Sequence, residues 1–126
     1  MEKEKSPKLF TAYKTRETYL NQIRLLKQST NEKLIIGRDG GLFMCSQEQI
    51  NFVNLLLRAD YASAVMFDKN ETPIMIENLK QFEIDMLEQY MSVMNEMFVD
   101  YNEIYKEIYK MKDILNDMYS GNSTQE

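Results

Sequence analysis

Five groups of residues in this sequence have types and spacings that chemistry could use. Cys45 sits just before a predicted helix start, where a thiolate can be stabilised. A small buried apolar role competes with that reading. Asp68-Lys69-Asn70 begins like an EF-hand calcium loop. Its sixth position is Pro73 where such loops need Gly, and its twelfth is Leu79 where a bidentate Glu is required, so a hairpin turn fits better. Gly37 to Gly41 has glycines that could cradle a phosphate, but the phosphate-loop spacing and its following Lys are missing. The acid pairs Glu83 with Asp85 and Glu103 with Glu107 could bind a divalent cation or move protons, or simply solvate a helix face. Lys3, Lys5, Lys8, Lys14 and Arg16 interleave with Phe10 and Tyr13, a pattern able to contact a nucleic-acid backbone. Docking of this basic segment on an acidic protein neighbour is the competing reading.

Composition limits what these groups can do. The 126 residues include no His, no Trp and one Cys, which removes His-based acid/base catalysis, Cys/His zinc sites and internal disulfides. The expectation is therefore a non-enzymatic protein with no catalytic residue, cofactor, metal site or small-molecule substrate. With 44% hydrophobic residues the chain can build one core. No window approaches the roughly 18 apolar residues of a membrane span. Lys3, Lys5 and Lys8 lack an apolar stretch behind them, so no secretory signal is expected. A soluble, cytoplasmic protein follows.

The net charge of -5 conceals a gradient. Residues 1–29 carry seven Lys/Arg against three Asp/Glu, residues 30–76 four against six, and residues 77–119 four against ten. A +4 front and a -6 back attract each other, within one chain or between neighbours.

The elements that must position these groups are legible from periodicity and punctuation. Residues 1–15, polar and containing Pro7, read as a basic flexible arm. Tyr19, Leu20, Ile23 and Leu26 then form an apolar stripe on a helix of about three turns, ending at Ser29-Thr30-Asn31. Leu34-Ile35-Ile36 and Leu42-Phe43-Met44 flank Asp39-Gly40, a hairpin signal. Ser46 with Gln49 has the capping-box spacing and starts a helix running to about Ala59. Ala64 to Phe67 and Ile74 to Ile76 make a second hairpin across Asp68 to Glu71, with Pro73 confined to an edge or a strand start. Asn78 with Gln81 repeats the cap 32 residues later, so hairpin-then-helix occurs twice. The expected class is α+β, with up to four strands in one small sheet and helices over one face. The expected organisation is an arm (1–15), a small α+β head (16–78), a long amphipathic helix (79–119) and a disordered tail (120–126).

Residues 79–119 contain neither Gly nor Pro, enough for one helix of about 60 Å. From Leu87 onward its apolar positions are Leu87, Tyr90, Met94, Met97, Tyr101, Ile104, Ile108, Met111, Leu115 and Met118, alternating by three and four as a coiled-coil seam does. A parallel row, Ile84, Met91, Phe98 and Tyr105, widens the face until Lys112 ends it. Such a surface needs a cover. The cover could be a second copy, a different helical protein, or the chain's own N-terminal helix.

Gly41-Leu42-Phe43, Phe52-Val53, Asp68-Lys69-Asn70 and Pro73 to Leu79, followed by an acidic Tyr-rich helix, resemble small uncharacterised proteins of T-even-type tailed bacteriophages over residues 34–110. That resemblance implies an accessory or virion-associated role in a bacterial host and carries over no site residue. Taken together, the sequence predicts an assembly or adaptor protein acting through its long helix. The alternative is a nucleic-acid-associated factor using the basic arm.

Overall fold

The computed structural model describes the backbone of residues 2–120 and, within it, all side chains except those of residues 2–13, 15, 108, 111, 115 and 118–120. The elements are α1 (Glu2–Lys33), β1 (Ile35–Arg38), β2 (Gly41–Met44), α2 (Gln47–Arg58), β3 (Ala64–Phe67), β4 (Pro73–Ile76) and α3 (Leu79–Ser120). The class is α+β, with a short helix between two hairpins and a long C-terminal helix, as the periodicity predicts.

Local chemistry accounts for most boundaries. Asp39 and Gly40 both take positive φ, 52° and 84°, which matches the right-handed strand twist and closes β1 on β2 in two residues. The Gln49 backbone N–H donates to Ser46 Oγ at 3.2 Å, capping α2. The Gln81 N–H donates to Asn78 Oδ1 at 3.0 Å in the same way for α3. At its other end α2 stops in a Schellman motif: Asp60 is left-handed at φ 66°, and the N–H groups of Tyr61 and Asp60 reach back to the carbonyls of Leu56 and Leu57. Pro73 occupies the first position of β4, where its missing N–H costs no ladder bond.

The structure departs from the sequence reading in three places. First, α1 takes in residues 2–15, the segment expected to be a flexible arm. That stretch carries two Glu and four Lys, good helix formers, and Pro7 falls within the first two turns of the helix. Second, α1 passes through the predicted stop at Ser29-Thr30-Asn31 and ends at Lys33, because Thr30 and Leu34 are both buried and the Leu34 N–H still donates to the Thr30 carbonyl. Third, the four strands form two separate antiparallel pairs rather than one sheet. The hairpins meet at a turn: the Lys69 N–H donates to the Leu42 carbonyl, and the Leu42 N–H donates to Asp68 Oδ2 at 3.2 Å. A ladder between neighbouring strands is therefore replaced by a clip from the β3–β4 loop.

The chain divides into two compact units, one of residues 29–96 and one of residues 1–28 with 97–126. The first holds the core: Leu34, Phe43, Cys45, Ile50, Val53, Met66, Ile76, Leu79, Phe82, Met86 and Val93. Strand alternation supplies it, with Met66 and Ile76 turned inward while Val65, Phe67 and Met75 face out. A head ending at residue 78 would lack Leu79, Phe82, Met86 and Val93, so the first turns of α3 belong to it. In the other unit, the α1 ridge of Tyr19, Ile23 and Leu26 is partly buried, and the Tyr19 hydroxyl donates to Glu107 Oε2 at 3.3 Å.

Candidate interaction surface

Cys45 and the acid pairs have structural roles. Cys45 is fully buried, and desolvation pushes its thiol up to about 11, so the thiolate is disfavoured there. Glu83 accepts from Asn54 Nδ2 at 2.9 Å, fastening α2 to α3. Asp85 pairs with Arg38 from the end of β1 and accepts from Gln81 Nε2 at 2.9 Å. Glu103 and Glu107 pair with Lys106 and Lys110 along α3. Lys33 reaches Glu96 at 2.7 Å, and Gln89 Nε2 donates to the Lys33 carbonyl at 2.7 Å, tying the end of α1 to α3. Among the described residues no three His, Cys, Asp or Glu side chains converge on a metal position.

The Asp68 carboxylate accepts three backbone N–H bonds, from Asn70 and Thr72 at 2.9 Å and from Leu42 at 3.2 Å. The Thr72 bond does most to lower its pKa below the usual 3.8, desolvation opposes it, and the Leu42 and Asn70 bonds add to the lowering. Because ionisation is favoured in the fold, this contribution is present above the unfolded pKa and lost as pH falls through the depressed folded value. Asp68→Asn should therefore be less stable than the parent at about pH 7, with the gap between their urea midpoints closing as the pH falls through the depressed folded value. A gap independent of pH would mean that the charge does not hold the loop.

The expected seam splits by environment. Tyr90 and Met94 pack against the core, and Tyr90 Oη accepts from Gln47 Nε2 at 2.7 Å. Met97, Tyr101 and Ile104 are partly buried, while Leu87 is 41% exposed. The side chains of Ile108, Met111, Leu115 and Met118 lie outside the described residues. The parallel row is the open one: Ile84 and Met91 in one unit, Phe98 and Tyr105 in the other, all exposed. Tyr109 joins it, and Tyr101, Tyr105 and Tyr109 form a ladder with centroids 6.1 and 6.2 Å apart. Tyr105, Lys106, Tyr109 and Lys110 line an open groove of about 450 Å³.

Sequence reasoning missed the inner face of α3. Leu79, Phe82, Met86 and Val93 were visible as a 3-4-7 spacing, but it overlaps the seam, and only the position of the hairpins decides which stripe turns inward. It also missed the apolar outer face of the second hairpin, where Val65 pairs with Met75 and Phe67 with Pro73, all exposed.

Of the basic residues, Lys14 and Arg16 are exposed on α1. The side chains of Lys3, Lys5 and Lys8 lie outside the described residues. Among the described residues no helix is long and apolar enough to cross a membrane. No protein-family model, curated protein or solved structure matches this chain.

Proposed function

We propose that this chain is a non-enzymatic assembly or adaptor protein whose long helix α3 supplies the binding surface. One observation carries the reading: after the chain has packed its own core, α3 still presents Ile84, Leu87, Met91, Phe98, Tyr105 and Tyr109 to water. Soluble monomers rarely leave apolar patches beyond a few hundred Å² uncovered, and larger ones mark interaction sites. Glu83, Asp85 and Asp68 are engaged in fastening elements together, which supports a binding rather than a chemical role. Likeness of residues 34–110 to small proteins of T-even-type tailed phages makes the virion or the host cytoplasm the setting of this proposal.

Methionine oxidation tests it. In the purified, dilute chain Met91 and Met75 are both about half exposed and should oxidise at similar rates. In a concentrated extract of the native cell Met91 should be protected several-fold while Met75 stays reactive. Equal oxidation of Met91 in both settings would refute a binding role for α3, and selective protection of Met75 would move the interface to the second hairpin.

A further inference from the structure

In the unit of residues 1–28 and 97–126 the described residues form a pair of helices, and two helices cannot cover apolar residues that point away from their shared ridge. The chain leaves this unit along α1 and re-enters it along α3, so the two helices run in opposite directions. Their mutual ridge is Tyr19, Ile23 and Leu26 on α1 and Met97, Tyr101 and Ile104 on α3, all partly buried. Successive helical residues are turned by about 100°, which puts Leu20 on one flank of the α1 ridge. The same rotation puts Phe98, Tyr105 and Tyr109 on one flank of the α3 ridge. On antiparallel helices equal rotational offsets open toward the same side of the pair, so these four side chains share one face.

We infer that this face is covered by the same face of a second copy, the two helix pairs closing into a four-helix bundle. This rests on the adaptor reading above and names its partner. The area supports it: the four side chains are 43–67% exposed. Rings and branched chains of this size leave on the order of 500 Å² of largely apolar surface at such exposures. A standard interface takes roughly 800 Å² from each partner, a little over half of it apolar, or about 450–520 Å². One face therefore supplies what a stable dimer needs.

Sedimentation equilibrium on the full chain tests this. The parent should show a mass of about 30 kDa, twice the 15.0 kDa chain. Phe98→Asp with Tyr105→Asp should weaken dimerisation about a hundredfold or more with unchanged helix content by circular dichroism. Leu20→Asp should weaken it too, while Leu20→Met restores it. A parent that stays monomeric overturns the second copy as occupant. In that case, binding of an apolar dye that is lost in the double Asp variant leaves the adaptor reading standing, and equal dye binding by both removes it as well. A dimer indifferent to the double substitution but broken by Val65→Asp places the interface elsewhere. Association with single-stranded DNA that weakens with salt, without dimerisation, assigns the face to nucleic acid instead.

Discussion

Phe82→Ala should destabilise the 29–96 unit by about 3–5 kcal/mol, a large share of the roughly 5–15 kcal/mol that a folded domain holds in total. Phe82 is 1% exposed on the inner face of α3, and its ring meets that of Phe43 from β2 edge-to-face, centroids 5.1 Å apart at 74°. The substitution removes the apolar transfer energy of a ring and leaves a cavity between a hairpin and a helix, which cannot collapse without breaking other contacts. Urea unfolding followed by circular dichroism reads the loss. A cycle with Phe43→Leu should isolate a coupling of about 0.5–1.5 kcal/mol for the ring pair beyond its buried area. A change below about 1 kcal/mol for Phe82→Ala would show that this ring does not join α3 to the hairpins.

The second large effect is expected at a residue with no side chain. A Cβ at Gly41 would lie 2.9 Å from Ile74 Cγ1 and 3.1 Å from both Asp68 Cβ and Phe43 Cε2, so the backbone of β2 approaches the second hairpin as closely as only Gly permits. Gly41→Ala should cost about 1–3 kcal/mol as Ile74 and the loop give way, and Gly41→Val should cost more, because its two methyl groups meet the same atoms. Gly40→Ala is the informative comparison: space around it is open, but its φ of 84° strains any L side chain, so its cost is conformational and about 1 kcal/mol. Denaturant midpoints for the three variants separate the two mechanisms. Gly41→Ala at parental stability would mean that the hairpins can part at no cost. The dye-binding and sedimentation behaviour of all three should stay parental wherever the fold survives, since the exposed row of α3 is elsewhere.

These two positions also show which features of the chain were readable in one dimension. Asp39-Gly40, Ser46 with Gln49, Asn78 with Gln81 and Pro73 are local devices: each acts through backbone groups within a few residues of itself, so its type and spacing suffice to predict the turn, cap or strand start that the structure contains. The proline-free and glycine-free run from Leu79 is of the same kind and predicts one continuous helix. The burial of Cys45 after β2 follows from its apolar neighbours, and the reading of Asp68 as a turn residue follows from Pro73 and Leu79 at the calcium-loop positions.

Gly41, Thr30 and the inner face of α3 are different. The tightest demand for glycine at position 41 comes from Ile74, 33 positions away, with Asp68 and the neighbouring Phe43 ring close behind. Thr30 looks like a helix stop until Leu34 is buried beside it. Along α3 two apolar stripes overlap, and the one that turns inward is chosen by where α2 and the hairpins lie, through Asn54 on Glu83, Gln47 on Tyr90 and Arg38 on Asp85. Local backbone chemistry is short-ranged and therefore written in residue order, which settled the element types, their caps and the α+β class. Burial depends on contacts between distant segments, so the tertiary structure alone decided which side of the long helix is core and which is left exposed.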